Sequence, residues 1–112
     1  MEECVFCRIA AGEIPATVVA NEIRVMAFED SNPQAPLHVL VIPRRHLTDV
    51  HAIRDGQLLL EMYDLARQVA AQRGVEESGY RLIFNLGPDG GQTVLHAHLH
   101  VLGGRQLSWP PG

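Results

Sequence analysis

Val94-Leu95-His96-Ala97-His98-Leu99-His100-Val101-Leu102 alternates histidine with aliphatic residues over its central positions. A period of two is typical of a half-buried β-strand, so the three imidazoles are predicted to share one face. Successive residues on that face lie about 6.6 Å apart, which separates the outer two Cα atoms by about 13 Å. Neighbouring rings at this spacing are credible co-ligands of one metal ion, whereas an elongated anionic substrate could contact all three.

Imidazole chemistry favours a catalytic role for this run. An unperturbed histidine titrates near pH 6.5, so it can act near neutrality as nucleophile, general acid or hydrogen-bond donor to phosphate. A metal-binding face and a merely polar strand face are the alternative interpretations. Three consecutive outward positions occupied by histidine favour catalysis over both.

Length and composition limit the class of protein. The 112 residues, 46% of them hydrophobic, predict one domain over 1–112 with a compact core. The net charge of −4, from 9 basic and 13 acidic residues, lacks the basic excess of a nucleic-acid-binding protein. The acidic start does not resemble a targeting segment, and no stretch approaches membrane-spanning length. We therefore expect a cytoplasmic protein with no nucleic-acid or membrane partner, whose two cysteines stay reduced.

The pattern of apolar residues predicts two helices and five strands. Helical spacing predicts a short helix over 4–11, ended by Gly12, and a long helix that begins after Asp55 and ends before Gly74. Strands are predicted over 17–20, 25–29, 38–43, 80–85 and 95–102, with a hairpin around 21–22 and a loop over 30–36. Few crossover helices join these strands, so we expect an α+β fold: an antiparallel sheet with helices on one side.

Two loops supply further candidate site residues. The glycine-rich loop over 87–92 leads into the histidine run, and glycine lets backbone N–H groups approach a phosphate, although a plain turn is the alternative. Thr93 and Asn85, on either side of this loop, are predicted to contact a phosphate oxygen or a leaving group. In the other loop, Asp30 either accepts hydrogen bonds from ribose hydroxyls or stabilises its own turn.

The stretch over 90–106 resembles the histidine triad (HIT) signature, His-x-His-x-His followed by hydrophobic residues. Trp109-Pro110-Pro111-Gly112 resembles the tail of the nucleotide-binding, or Hint, branch, and similarity extends to 14–16 and 32–38. The resemblance implies a HIT-like fold whose sheet continues across a homodimer. It also implies a purine nucleoside phosphoramidase that releases AMP or GMP from an amine.

The resemblance assigns a role to each matching residue. His98 would be the nucleophile that takes the nucleotidyl group on Nε2, while His96 and His100 would contact phosphate oxygens and the leaving group. His38 would orient the central histidine. Asp30 would bind ribose, and the Trp109 tail would approach the partner's active site. The phosphate contacts would be Asn85, Gly91, Gln92 and Thr93.

Two positions depart from the family pattern, and two other functions remain open. Thr93 stands where the family usually has Ser, which keeps the hydroxyl but restricts its rotamer. Ser31 stands where a branched aliphatic residue is common, which alters the apolar fit to the base. The alternatives are a dinucleoside polyphosphate hydrolase and a non-catalytic nucleotide-binding scaffold. The tail over 108–112 favours the phosphoramidase.

A structural zinc site is predicted at Cys4, Cys7, His46 and His96. Cys-x-x-Cys is a familiar metal pair, and two thiolates with two imidazoles satisfy tetrahedral Zn²⁺. Some histidine triad proteins that begin with a similar Cys-x-x-Cys resemble this arrangement. The alternatives are two reduced cysteines packed on the short helix, or a redox disulfide, which no thioredoxin-like pattern supports here. No organic cofactor is expected.

Overall fold

Residues 3–112 are described by the structure, a computed structural model, and they form two α-helices and five strands. In chain order the elements are α1 (Val5–Ala10), β1 (Val18–Asn21), β2 (Val25–Glu29), β3 (Leu37–Pro43), a 3₁₀ turn (Val50–Ala52), α2 (Gly56–Gln72), β4 (Tyr80–Phe84) and β5 (Leu99–Gly103). The strands form one antiparallel sheet in the order β1-β2-β3-β5-β4. This confirms the predicted five-stranded α+β fold. Within the described range, no helix is long and apolar enough to cross a membrane.

The bounds of α2 follow from its capping residues. The Asp55 carboxylate accepts hydrogen bonds from the backbone N–H groups of Gln57 and Leu58 at 3.0 and 3.3 Å, which satisfies donors that the first turn leaves free. Gly74 follows the helix with a φ of +70°, a conformation that glycine adopts without strain. The predicted start and end of this helix are confirmed.

Helices cover the two opposite faces of the sheet. All seven residues of β3 are buried, because α2 packs on one face and Phe6 of α1 packs on the other. The first face contributes Val25, Ala27, Val39, Val41 and Val101 to the core, and the second contributes Met26, Phe28, Leu40 and Ile42. The expectation of helices on one side is therefore wrong. Strands with apolar residues at successive positions need cover on both faces.

The histidine run is not one continuous strand, which corrects the predicted strand over 95–102. β5 begins only at Leu99, where it pairs with Val41 of β3. Before that residue the chain leaves the sheet: the Ala97 N–H donates to Leu47 O at 2.6 Å, and the His96 ring lies 2.8 Å from Pro43 O. These long-range bonds replace the sheet ladder, so strict alternation of faces does not extend back to His96.

Candidate functional site

A cleft of about 990 Å³ opens on the α1 face of the sheet. Three of the histidines line it: His38 from β3, His100 from β5, and His98 from the segment just before β5. The predicted site residues Asp30, Asn85, Gly91 and Thr93 also line it. Three residues predicted to catalyse the reaction or bind the substrate lie outside the lining: His96, Gln92 and Trp109. The Trp109 side chain is 82% exposed in this chain.

His98 is held in one tautomer by a backbone carbonyl. Its Nδ1 lies 2.6 Å from the carbonyl oxygen of His96, and because a carbonyl oxygen only accepts, Nδ1 carries the proton. Nε2 of the neutral ring therefore keeps its lone pair. The ring is buried and packs edge-on against Phe6, with centroids 5.1 Å apart. The arrangement fixes the orientation of the ring and makes Nε2 the nucleophilic nitrogen of its neutral form.

A chain of hydrogen bonds likewise sets the tautomers of His38 and His100. The Gln34 N–H donates to His38 Nδ1 at 3.0 Å, so the His38 proton is on Nε2. That Nε2 lies 2.9 Å from His100 Nδ1 and 3.3 Å from the nearer Asp30 oxygen. Two N–H groups cannot face each other at this distance, so His100 Nδ1 accepts and its proton is on Nε2. His38 thus contacts His100, whereas the resemblance implied that it orients the central His98.

His100 Nε2 is the free donor at the end of this chain. The atom is buried and has no hydrogen-bond partner within residues 3–112. Burial, together with the neighbouring His98 and His38 rings, lowers the pKa of His100 to about 4, against the opposing effect of the Asp30 carboxylate. Burial also lowers the pKa of His38, against the opposing effect of the Asp30 and Glu29 carboxylates. Near neutrality both rings are therefore neutral, and His100 offers one N–H to a ligand in the cleft.

The glycine loop uses most of its polar groups internally. The backbone N–H groups of Gly91 and Gln92 donate to Pro88 O and Gly87 O at 3.1 and 3.0 Å. The Gln92 side chain accepts from Gly87 N–H at 3.1 Å and donates to Thr48 O and Val94 O at 2.7 and 3.1 Å. Gln92 therefore braces the loop, while Gly91 and, directly after the loop, Thr93 line the cleft.

Asp30 forms the turn bond that the sequence suggested and also faces the cleft. One carboxylate oxygen accepts from Asn32 N–H at 2.8 Å, which is a turn-stabilising bond, and the other faces His38. The residue also lines the cleft. An ionised carboxylate has about four acceptor sites, so lone pairs remain for a ribose hydroxyl.

The four predicted metal ligands lie together at the N-terminal end of α1. Their ligand atoms, one each from Cys4, Cys7, His46 and His96, all lie within 4.8 Å of one another. His96 Nδ1 is 3.3 Å from Cys4 Sγ and 3.5 Å from Cys7 Sγ, and Cys7 Sγ is 3.3 Å from His46 Nδ1. Zn–S and Zn–N bonds of about 2.3 and 2.1 Å give a tetrahedral edge of about 3.6 Å, close to these values. We call these four residues the Cys/His cluster.

The hydrogen bond on the far side of the His96 ring also fits a metal ligand. His96 Nε2 lies 2.8 Å from Pro43 O, so it carries the proton and leaves Nδ1 deprotonated toward the thiols. Metal-binding histidines usually donate their second N–H to such an acceptor. Both nitrogens of this buried ring are thus directed away from a substrate phosphate. Of the two roles predicted for His96, the geometry fits the metal ligand.

A second group of potential ligands, Asp30, His38 and His100, does not pass the same test. Their ligand atoms also lie within 4.8 Å of one another. His38 Nδ1, however, accepts an N–H from Gln34, so a metal on Nε2 would require a ring that had lost both protons. We therefore assign these three residues to the chain of hydrogen bonds that sets the His38 and His100 tautomers.

Sequence reasoning missed two contributors to this site. Phe6 packs edge-on against both His96 and His98, with centroids 5.9 and 5.1 Å away. Its position inside the Cys-x-x-Cys segment was the available signal, because a metal site there brings the turn close to the histidines. The Gln34 N–H gave no signal, since every residue except proline has this donor.

Comparisons with known proteins agree with this geometry. A family model described as the HIT domain matches residues 11–107, so the chain belongs to the HIT family. A "14 kDa zinc-binding protein" of Zea mays is 46% identical over 112 residues, covering 96% of this chain and 87% of the relative. The crystal structure of a HIT family hydrolase from Legionella pneumophila Philadelphia 1 has a TM-score of 0.94 at 50% identity, covering 97% of this chain and 99% of that one. A histidine triad protein from Clostridium difficile has a TM-score of 0.92 at 41% identity, covering 96% of each chain.

Proposed function

We propose that this HIT-family protein is a nucleoside phosphoramidase of the Hint type, which cleaves the P–N bond of purine nucleoside phosphoramidates. The observation that carries the proposal is the tautomer of His98: Nδ1 is engaged by His96 O at 2.6 Å, so Nε2 is free to attack phosphorus. The similarity to a structure described as a HIT family hydrolase supports a hydrolytic activity.

The reaction proceeds in two displacements. The His98 Nε2 lone pair forms a bond to phosphorus while the P–N bond breaks, and the amine leaves with a proton, for which the Thr93 hydroxyl is our candidate donor. The His100 N–H stabilises the negative charge on a phosphoryl oxygen. Water then forms a bond to phosphorus while the bond to His98 Nε2 breaks, and a proton from the water restores the Thr93 hydroxyl, which releases the nucleoside monophosphate and the free imidazole.

The charge of the cleft favours a substrate with a single phosphate. Among the described lining residues there is no lysine or arginine, and the charged side chains are the carboxylates of Glu29 and Asp30. A dinucleoside polyphosphate would bring several further negative charges into this environment, whereas an amine leaving group brings none. This observation favours the phosphoramidase over the polyphosphate hydrolase.

The nucleoside end of the cleft is apolar. Its walls combine residues of α1, of the following loop and of the central strands: Val5, Ile9, Ile14, Pro15, Phe28 and Leu40. Such a wall can stack a purine base, and Asp30 lies at its edge to accept from the ribose. Ser31 lines the same cleft without adding to the apolar surface.

Mass spectrometry of protein mixed briefly with an adenosine phosphoramidate tests the proposal. We expect an AMP adduct on His98, and a loss in turnover well above about 10⁴-fold in His98→Ala, because removing a nucleophile costs more than removing general acid–base assistance. His51→Ala, which changes an exposed histidine outside the cleft, is the matched control. Near-normal turnover of His98→Ala would refute the role, and nucleotide binding without turnover by the unmodified protein would support the scaffold.

We further propose that the Cys/His cluster binds one structural Zn²⁺. Burial and the hydrogen bond with Cys4 raise the pKa of Cys7, so this thiol keeps its proton until a cation binds and displaces it. The similarity to the zinc-binding protein of Zea mays supports the choice of metal. Elemental analysis should give about one zinc per chain, and Cys4→Ser with Cys7→Ser should lower zinc content and melting temperature. Metal-free protein whose melting is unchanged by a chelator would refute this site.

A homodimer through β4 is the third part of the proposal. β4 is the last strand of the sheet, and each of its five residues is half-buried. The flank of α2 that carries Glu61 faces Arg24 beside β2, so the opposite flank, with Leu59 and Tyr63, faces the β4 side. A second copy could pair with the free edge of β4 and cover this exposed apolar flank.

Sedimentation measures the assembly directly. We expect about twice the 12.4 kDa chain mass at micromolar concentration, and a shift toward monomer in Tyr63→Lys but not in Gln68→Lys on the opposite flank of α2. Deletion of 108–112 should change substrate selectivity more than stability if the Trp109 tail reaches the partner's cleft. A monomer in the unmodified protein would refute the dimer.

A further inference from the structure

His96 is a member of the Cys/His cluster and also contacts His98, the proposed nucleophile. Its ring is held at both nitrogens, with Nδ1 3.3 and 3.5 Å from the two thiols and Nε2 2.8 Å from Pro43 O. Its backbone oxygen lies 2.6 Å from His98 Nδ1. The carbonyl that fixes the tautomer and direction of the His98 ring therefore belongs to a residue whose own position is set by the cluster.

The segment over 96–98 lies outside the sheet, and its three side chains are buried. It precedes β5, and its long-range backbone bond is the one from Ala97 N–H to Leu47 O at 2.6 Å. Leu47 directly follows His46, the fourth residue of the cluster. This bond joins the segment to the residue next to His46, whose ring packs edge-on against His96 with centroids 5.1 Å apart.

Phe6 provides a second connection from the cluster to His98. It lies between Cys4 and Cys7, and its ring packs edge-on against both His96 and His98. α1 has only six residues, which is too short to be stable on its own, so its position depends on docking through its side chains. If the cluster opened, the wall behind His98 would move together with the carbonyl beside it.

We propose that Cys4, Cys7, His46 and His96, when they hold a metal ion, act as positioning residues for His98, beyond their contribution to stability. The inference rests on the proposed function, because it assigns to the cluster control over the attack angle of the nucleophile. Residues that orient a metal ligand without touching the metal typically change affinity or activity by about 10- to 100-fold. We expect an effect of similar size for residues that orient a nucleophile. Misplacement by about 1 Å can cost about 10²-fold in rate.

The test compares zinc-loaded protein, protein freed of zinc by a chelator, and His46→Ala, whose mutated side chain lies outside the cleft. We expect kcat for an adenosine phosphoramidate to fall about 10- to 100-fold when the metal is lost, with little change in AMP affinity. Adding Zn²⁺ should restore kcat in the chelated protein but not in His46→Ala. Arg8→Ala, an exposed change on α1 that pairs only with Glu13 among the described residues, should behave as wild type.

Nitrogen NMR of the His98 ring gives a readout that does not depend on turnover. We expect a single Nδ1–H tautomer in the zinc-loaded protein and a mixture of tautomers after zinc loss. Folded, zinc-free protein with the same His98 tautomer and unchanged kcat would overturn the inference. If His46→Ala does not fold, the chelated wild-type protein is used for this comparison. If no phosphoramidate is turned over at all, the proposed function fails, while the tautomer still decides the positioning role.

Discussion

Acidification should destabilise this protein through His100, and the structure gives the size of the effect. The folded ring has a pKa of about 4 against an ordinary value of 6.5, because burial opposes its charged form. Between these two values the unfolded chain binds a proton at this position and the folded chain does not. The free energy of unfolding therefore falls as the pH falls from about 6.5 to about 4.

The magnitude follows from the difference between the two pKa values. At about 1.4 kcal/mol per pKa unit, the fall amounts to about 3 kcal/mol, which is an upper limit because part of the ring faces the cleft. This is a large share of the total stability of about 5–15 kcal/mol that is usual for a protein. His38 acts in the same sense, since burial lowers its pKa as well.

Urea unfolding at several pH values between 7.5 and 4 measures the effect. His100→Gln cannot titrate, so it should lose less stability than wild type over this range, with a difference approaching about 3 kcal/mol. Protonation of the Cys/His cluster affects both proteins and cancels in the comparison. Parallel curves for the two proteins would refute the reasoning, because they would show that the folded His100 titrates as it does in the unfolded chain.

Three further substitutions test the packing that supports the site. Gly90→Ala should lose about 2 kcal/mol or more in urea unfolding, since its Cβ would lie 2.2 Å from Leu86 O, and a loss below about 0.5 kcal/mol would contradict the tight loop. Met62→Ala should lose about 2–5 kcal/mol because the side chain is fully buried, and wild-type melting would disprove that packing. Gln92→Ala should lower both stability, by about 1–3 kcal/mol, and kcat, because three hydrogen bonds of the loop are lost. Unchanged kinetics and stability would show that the loop does not need this brace.

The sequence alone predicted the number and order of the α-helices and strands and several of the residues that line the cleft. Asp55 and Gly74 marked the ends of the long helix because capping depends on local hydrogen bonds and on backbone freedom at a single position. The spacing of Cys4 and Cys7 indicated a metal pair for the same reason, since one helical turn brings both thiols to one side. His98 and His100 were named from their pattern and His38 from the family resemblance, and all three line the cleft.

The tertiary structure decided how these residues are used. Alternation predicted one strand with three equivalent histidines, but contacts to Pro43 and Leu47 draw the chain out of the sheet before Leu99. His96 is thereby directed to the Cys/His cluster, while His98 and His100 face the cleft. The tautomers depend on the His96 carbonyl and the Gln34 N–H. Sequence patterns indicate which face of an element a side chain occupies. The position of the proton on a histidine ring depends instead on backbone N–H and C=O groups, which do not distinguish one residue from another in the sequence and which only folding brings next to the ring.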